Sequence, residues 1–250
     1  MVRQLLSFAR AHARELLRDK RAIIAVLVSF AVLIGLLCGI DTLMATTTGA
    51  RPGLVRLGLP LVAATGFMAV AFTLTTVPLI RYRDSGVLRT LSTTPAHRAA
   101  FLLAHAPVRA TIVALETLVI VVVALTDGTP PAKAAPLATT LLLGGAMTLA
   151  FGYLLAARST NLDTAIQLSY IIPMVVLTTS GVLFPLDLLP PPIAQAFRAL
   201  PTTWLMESLG SLLVGANEHM PLTLSWILMT LVTMTAGYAA ARCHRWTTEG

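Results

Sequence analysis

The chain has 250 residues, of which 56% are hydrophobic and only 12% charged, with a net charge of +7 and a mean hydropathy of +0.80. Water-soluble domains carry roughly a quarter charged residues, so a soluble globular domain is excluded. The basic balance would suggest nucleic acid in a soluble protein; here its placement along the chain decides its meaning, and nucleic acid is not the expected partner.

In chain order the first feature is a basic segment over residues 1–21. Arg3, Ser7, Arg10, Arg14 and Arg18 recur at steps of three and four, with Leu5, Leu6, Ala9, Ala13, Leu16 and Leu17 on the other side. That periodicity predicts an amphipathic interfacial helix lying along the membrane, its arginines near anionic headgroups; a solvated basic tail is the alternative. The segment does not read as a cleavable leader, because the apolar run behind it is long enough to span and no small-x-small site follows.

A bilayer core about 30 Å thick takes about 20 apolar residues in helical form. Six runs qualify. Ala22–Ile40, Leu57–Ile80, Ala134–Ala157, Thr164–Leu186 and Pro221–Ala241 contain no Asp, Glu, Lys or Arg. The third in order, about residues 108–126, holds Glu116 within its run Ala110–Thr126. The expected fold is an all-α membrane protein, one domain over residues 1–250, with six transmembrane helices.

The connections differ in character. Asp41–Arg56 reads as a Thr- and Gly-containing loop, and "TDGTPPAKAAP" as a short turn whose prolines block helix continuation. In "RSTNLD", Asn161 and Asp163 suit a tight turn that caps the fifth span. Residues 187–215 have too many prolines for one span yet stay apolar. Ile193–Leu200 and Trp204–Leu213 are predicted as short helices bounded by Pro192, Pro201 and Gly215. They fit either a re-entrant pair, since irregular backbone at membrane depth is tolerated against protein or water, or an ordinary folded loop. Trp204 suits the membrane interface.

With six spans both termini share a side, and basic residues can be counted by face. Thirteen lie on the side of the termini: Arg3, Arg10, Arg14, Arg18, Lys20, Arg21, Arg81, Arg83, Arg89, Arg98, Arg158, Arg242 and Arg245. Arg51, Arg56, Lys133 and Arg198 lie opposite, and Arg109 sits at the near edge of the third span. Lys and Arg in excess mark the cytoplasmic face, so both ends are expected in the cytoplasm. Cys38 and Cys243 fall at opposite sides of the membrane, which excludes a disulfide between them, and neither has metal-binding company at usable spacing.

The segment "RYRDSGVLRTLSTTPAHR", residues 81–98, is the most basic stretch between two strongly apolar ones. Asp84 or Ser85 can cap a helix, Val87, Leu88 and Leu91 then share a face, and Pro95 stops it. A helix of about two turns is not stable alone and needs a partner surface. Its apolar face suits a groove in a soluble protein, with Arg81, Arg83 and Arg89 on an acidic rim; arginines that merely fix topology are the other reading.

Glu116 is the one acid inside a predicted span, which makes it a candidate for the substrate pathway or for proton exchange. A hydrogen bond to a neighbouring Ser, Thr or backbone carbonyl is the structural reading. Arg109, two turns away on the same face, can snorkel to the cytoplasmic interface. Pro173 and Gly181, both expected within the fifth span, are candidates for bending it along the same pathway. Gly35-x-x-x-Gly39 in the first span permits close helix approach.

Taken in order, "ELLRDKR" before the first span, "RYRDSGVLRTLSTTP" after the second, "ARS" at residues 157–159, and "SGVLFPLDLLP" with "LPTTWL" after the fifth resemble the permeases of type-2 ABC transporters, in particular the daunorubicin and multidrug-resistance exporters. Tyr82 departs from the glutamate common in that family's loop, and Asp84 is shorter than its usual second acid. The resemblance implies that residues 84–94 are a cytoplasmic coupling helix docking on an ATP-binding subunit through Arg83, Asp84, Gly86, Val87, Leu88, Leu91 and Pro95. It also implies two copies of that subunit, a second permease, a pathway lined by spans two and five, a dimer contact through spans one and five, and outer re-entrant helices over residues 187–215. The implied location is the bacterial cell membrane, and the implied cargo an amphipathic drug, lipid or secondary metabolite, with polysaccharide as the family's other option.

The chain has no G-x-x-x-x-G-K-[ST], so ATP and magnesium are expected in the partner and no cofactor in this chain. Two rival classes fit less well. A membrane enzyme would need a nucleophile or metal motif, and neither H-E-x-x-H nor G-x-S-x-G occurs. An ion-coupled carrier would be expected to hold several charges within its spans, and Glu116 stands alone.

Overall fold

A computed structural model describes residues 20–49, 53–84, 98–159, 161–216 and 219–243. The basic segment before Lys20 lies outside the described residues, and so do Gly86, Val87, Leu88 and Leu91 of the 84–94 segment and Pro95 after it. The helices are α1 (Lys20–Thr48), α2 (Leu54–Met68), a π-helical segment (Ala69–Thr76), α3 (Val77–Asp84), α4 (Arg98–Thr126), α5 (Ala134–Arg158), α6 (Leu162–Thr179), α7 (Pro191–Arg198), α8 (Pro201–Val214) and α9 (Leu222–Cys243). No strand occurs among the described residues. Six helices are long and apolar enough to cross a membrane: Ile23–Thr47, Leu54–Tyr82, Ala106–Thr126, Pro131–Arg158, Leu162–Thr179 and Leu222–Cys243. The all-α six-span architecture is therefore present, with α2, the π segment and α3 joined into the second span.

Several boundaries differ from those expected, each for a local reason. Most of the loop anticipated over Asp41–Arg56 is helix, because α1 continues to Thr48. Its polar residues are absorbed: Thr42, Thr46 and Thr47 return their hydroxyls to carbonyls of the preceding turn, and Asp41 Oδ1 accepts the Leu54 N–H at 2.9 Å, capping the next helix. The third span's helix starts at Arg98 and runs through Pro107, well before residue 108. The fifth ends at Thr179 rather than Leu186, since Gly181 adopts φ +81°, a left-handed turn that terminates helices. Gly181 thus lies just past the span and not inside it.

The second and fourth spans form the centre of the bundle. The fourth packs on the sixth, the π segment, α4 and α8, and its glycines permit this. A methyl at Gly152 would stand 2.4 Å from the Ala71 carbonyl oxygen, so only glycine lets the fourth span approach the backbone of the second. The first, fifth and sixth spans cover this centre and leave Val32, Leu36, Tyr170, Met174, Ile227 and Met234 exposed, as a lipid-facing surface requires. Gly35 and Gly39 have no neighbour within contact distance, so the close approaches onto α1 come instead at Gly58 and Gly66 of α2, against Leu37 and Phe30.

The two short helices anticipated over residues 193–213 are α7 and α8. α8 packs against α2, α5 and α9, burying Leu205, Leu209, Leu212 and Leu213. "LPTTWL" builds the corner between them: Pro201 opens α8 at a position where no N–H is needed, Thr203 Oγ1 donates to the Phe197 carbonyl at 2.7 Å, and Trp204 Nε1 donates to that of Arg198 at 2.8 Å. Trp204 is thus a tie between two helices.

Candidate functional site

Two polar regions stand at different depths of the bundle. The first surrounds the π segment, in the half near the 85–97 connection. There the second span leaves α-helical geometry: Val77 N–H bonds the Phe72 carbonyl, five residues back, and Thr75 and Thr76 reach Val70 and Ala71 in the same register. Thr76 Oγ1 also donates to the Gly152 carbonyl of the fourth span at 2.9 Å. In an α-helix the Leu74 carbonyl would accept from residue 78, which is a proline and has no N–H. Arg109 brings side-chain donors to that carbonyl, Nη2 at 3.0 Å and Nε at 3.3 Å. The snorkelling expected for Arg109 does not occur; the residue is 2% exposed and clamps the third span to the break in the second.

Glu116 lies two turns further along α4, 1% exposed. Its carboxyl packs on Gly66 of α2, where a methyl would stand 3.1 Å from Oε2, beside the Phe30 ring of α1. Among the described residues neither carboxyl oxygen has a hydrogen-bond partner, so the bond to a neighbouring Ser, Thr or carbonyl that the structural reading called for is not seen there. Pro173 is half-buried within α6.

The second region lies at the opposite end of the bundle. A cavity of about 350 Å³ opens there between the start of α2, the turn after α6, α7, α8 and the link to α9. Gly181 lines it with Leu57, Pro60, Val182, Met206 and Val214; of the three residues assigned to a pathway, it is the one that meets this cavity. Five ionisable groups line it, Arg56 and a cluster of four others. Arg198 pairs with Asp187 through Nη2 and faces Glu207 Oε1 at 3.8 Å. His219 faces both acids, at 3.4 Å from Glu207 and 3.8 Å from Asp187. Burial holds the Glu207 pKa above its ordinary value and Asp187 adds to this, while His219 and Arg198 oppose it. Around this cavity Arg56 pairs with Asp127 at 3.0 Å, and Lys133 Nζ donates to the Leu212 carbonyl at 2.9 Å, at the C-terminal end of α8 where a cation is favoured.

Arg83 and Asp84 form the last residues of α3, so the second span continues as helix up to the start of the 84–94 segment. Sequence reasoning placed Arg198 and Glu207 in its two short helices and gave none of Asp187, Arg198, Glu207 and His219 a role at a site. They sit on four separate elements and have no common spacing, so only the packing brings them together. Among the described residues no three His, Cys, Asp or Glu side chains are grouped to hold a metal ion.

A family model described as ABC-2 type transporter matches residues 3–214, from the basic N-terminal segment to the end of α8. No curated protein matches the chain.

Proposed function

The chain belongs to the ABC-2 type transporter family, which makes it a multi-pass membrane permease component of an ABC transporter that works with ATP-binding subunits, and we propose that it is the permease of an ATP-driven exporter in the bacterial cell membrane. The observation that carries this is the family match over most of the chain. In the proposed complex two permeases meet, two partner subunits hold ATP and magnesium, and both termini of this chain face the cytoplasm. The segment 84–94 is its coupling helix, with Val87, Leu88 and Leu91 in the partner's groove and Arg83 and Asp84 at its root.

The geometry supplies a route for the stroke. Helix α3 is continuous from the π segment to Asp84, so displacement of the coupling helix acts on the second span as a lever. The π segment, with its shifted hydrogen bonds and Pro78, is the place where that lever bends. One stripe of the second span stays uncovered, with Leu57, Thr73 and Arg81 exposed and Leu61, Thr65 and Ala69 half-buried. Beside the fifth span, which packs against it, this stripe supports the assignment of spans two and five to the pathway. The mixture of apolar and polar residues along this stripe supports an amphipathic drug, lipid or secondary metabolite over a polysaccharide. α7 and α8 are the re-entrant pair at the outer mouth.

An ion-coupled mechanism through Glu116 is the weaker reading, because that side chain is enclosed in the protomer and does not line the cavity. The deciding experiment replaces Leu88 and Leu91 with Asp. The ATP-binding subunit is expected to be lost from the purified complex while the permease remains folded in the membrane. Copurification with undiminished ATPase stimulation overturns the coupling assignment.

A further inference from the structure

The cavity at the outer mouth carries a charge imbalance that transport as described does not use. Two carboxylates, Asp187 and Glu207, share one permanent cation, Arg198. His219, on the link between α8 and α9, stands beside the same two acids, with Nδ1 3.4 Å from Glu207 Oε1 and Nε2 3.8 Å from Asp187 Oδ1. A neutral imidazole has one N–H and one lone pair, so it donates to one acid and turns a lone pair on the other. The imidazolium donates from both nitrogens and supplies the positive charge that the cluster lacks.

We propose that His219 is a proton-operated latch: protonated, it ties the link into the sixth span to the turn after the fifth span and to α8, closing the cavity mouth; neutral, it releases them. The exposures place the latch at the rim. Asp187 and His219 are open to water, 75% and 43% exposed, whereas Arg198 and Glu207 lie deeper. The four groups come from four chain elements, so their pairing fixes the relative position of all four. Of the other charges around the cavity, Arg56 is engaged by Asp127 and Lys133 faces the Ser211 and Leu212 carbonyls. Glu218, the sequence neighbour of His219, lies outside the described residues.

The direction with pH follows. Raising the pH removes the proton, so the latch opens toward alkaline pH. It also loosens in stronger acid, when Glu207, whose pKa burial holds above the ordinary value, takes up a proton. A mildly acidic window of closure is the result.

The test uses the full chain in lipid nanodiscs, with Cys38→Ser and Cys243→Ser as background and one cysteine on the cavity wall, Val182→Cys or, separately, Val214→Cys. Maleimide labelling is normalised to Ala132→Cys on an exposed turn outside the cavity, which removes the intrinsic pH dependence of thiol reactivity. Between pH 8 and pH 6 the normalised labelling is expected to fall by about threefold, the scale of a partly exposed ion pair. With His219→Gln, and with the Asp187→Asn, Glu207→Gln pair, it is expected to be flat. A flat wild-type profile, or an unchanged slope in His219→Gln, overturns the latch. The readout needs no ATP, partner or cargo, so loss of the exporter assignment leaves this result standing.

Discussion

The two polar regions of the bundle treat charge in opposite ways. Near the π segment, Arg109 is enclosed and donates from Nη2 and Nε to the Leu74 carbonyl, whose α-helical donor position is occupied by Pro78. At the far end, Asp187, Arg198, Glu207 and His219 sit between protein and water and share partners loosely. A charge taken out of water is retained only when its partners are fixed, because an unpaired buried group costs several kcal/mol. A half-exposed charge can change partners or protonation at little cost. The enclosed region holds its geometry, as the proposed lever requires, and the open one can change partners, as the proposed latch requires. Glu116 belongs to neither pattern, being enclosed yet without a hydrogen-bond partner.

This contrast orders the expected effects of substitution. The largest is at Gly152, where any side chain meets backbone and not a flexible tip. Gly152→Val is expected to destabilise by about 3 kcal/mol, the upper range for overpacking, read as loss of monodisperse protein on detergent size exclusion. Next is Arg109→Met, which keeps the aliphatic length and removes both side-chain donors from the Leu74 carbonyl, at about 1–3 kcal/mol. Arg109→Lys, retaining one donor, is expected to recover part of the thermal stability; equal melting for Met and Lys would remove the clamp.

Glu116→Met is expected to act in the opposite direction, raising stability by about 1 kcal/mol, because it replaces an unsatisfied buried carboxyl with an apolar side chain of similar volume. If stability rises while export falls, the acid serves transport; a marked loss of stability would reveal a partner and break the contrast. The smallest effect belongs to Asp127→Asn at the half-exposed pair with Arg56, about 0.5 kcal/mol and diminished further by salt, measured in thermal melts at two ionic strengths.

The six spans were legible because length and the absence of charge are one-dimensional properties, and a bilayer imposes both. Asn161 was legible as a cap for the same reason: its side chain accepts the Asp163 N–H two residues on, at 2.8 Å. The end of the first span was misplaced because Asp41 looks like a loop residue until Leu54 is seen to use it. Arg109 was misplaced because a carbonyl deprived of its donor by a proline in another helix leaves no trace at position 109. "LPTTWL" contributed to the family resemblance without revealing what it does, which is to tie α8 to the end of α7.

Hydropathy and charge asymmetry along the chain thus settle that this is a six-span membrane protein, since crossing hydrocarbon demands an apolar helix whatever the neighbours are. The motif order pointed to its family. Which charges are locked and which are free, where the second span bends, and that four scattered groups face one cavity are decided only in three dimensions. Those properties depend on distances between helices, and they come from packing at glycines such as Gly152, where two backbones are allowed to touch.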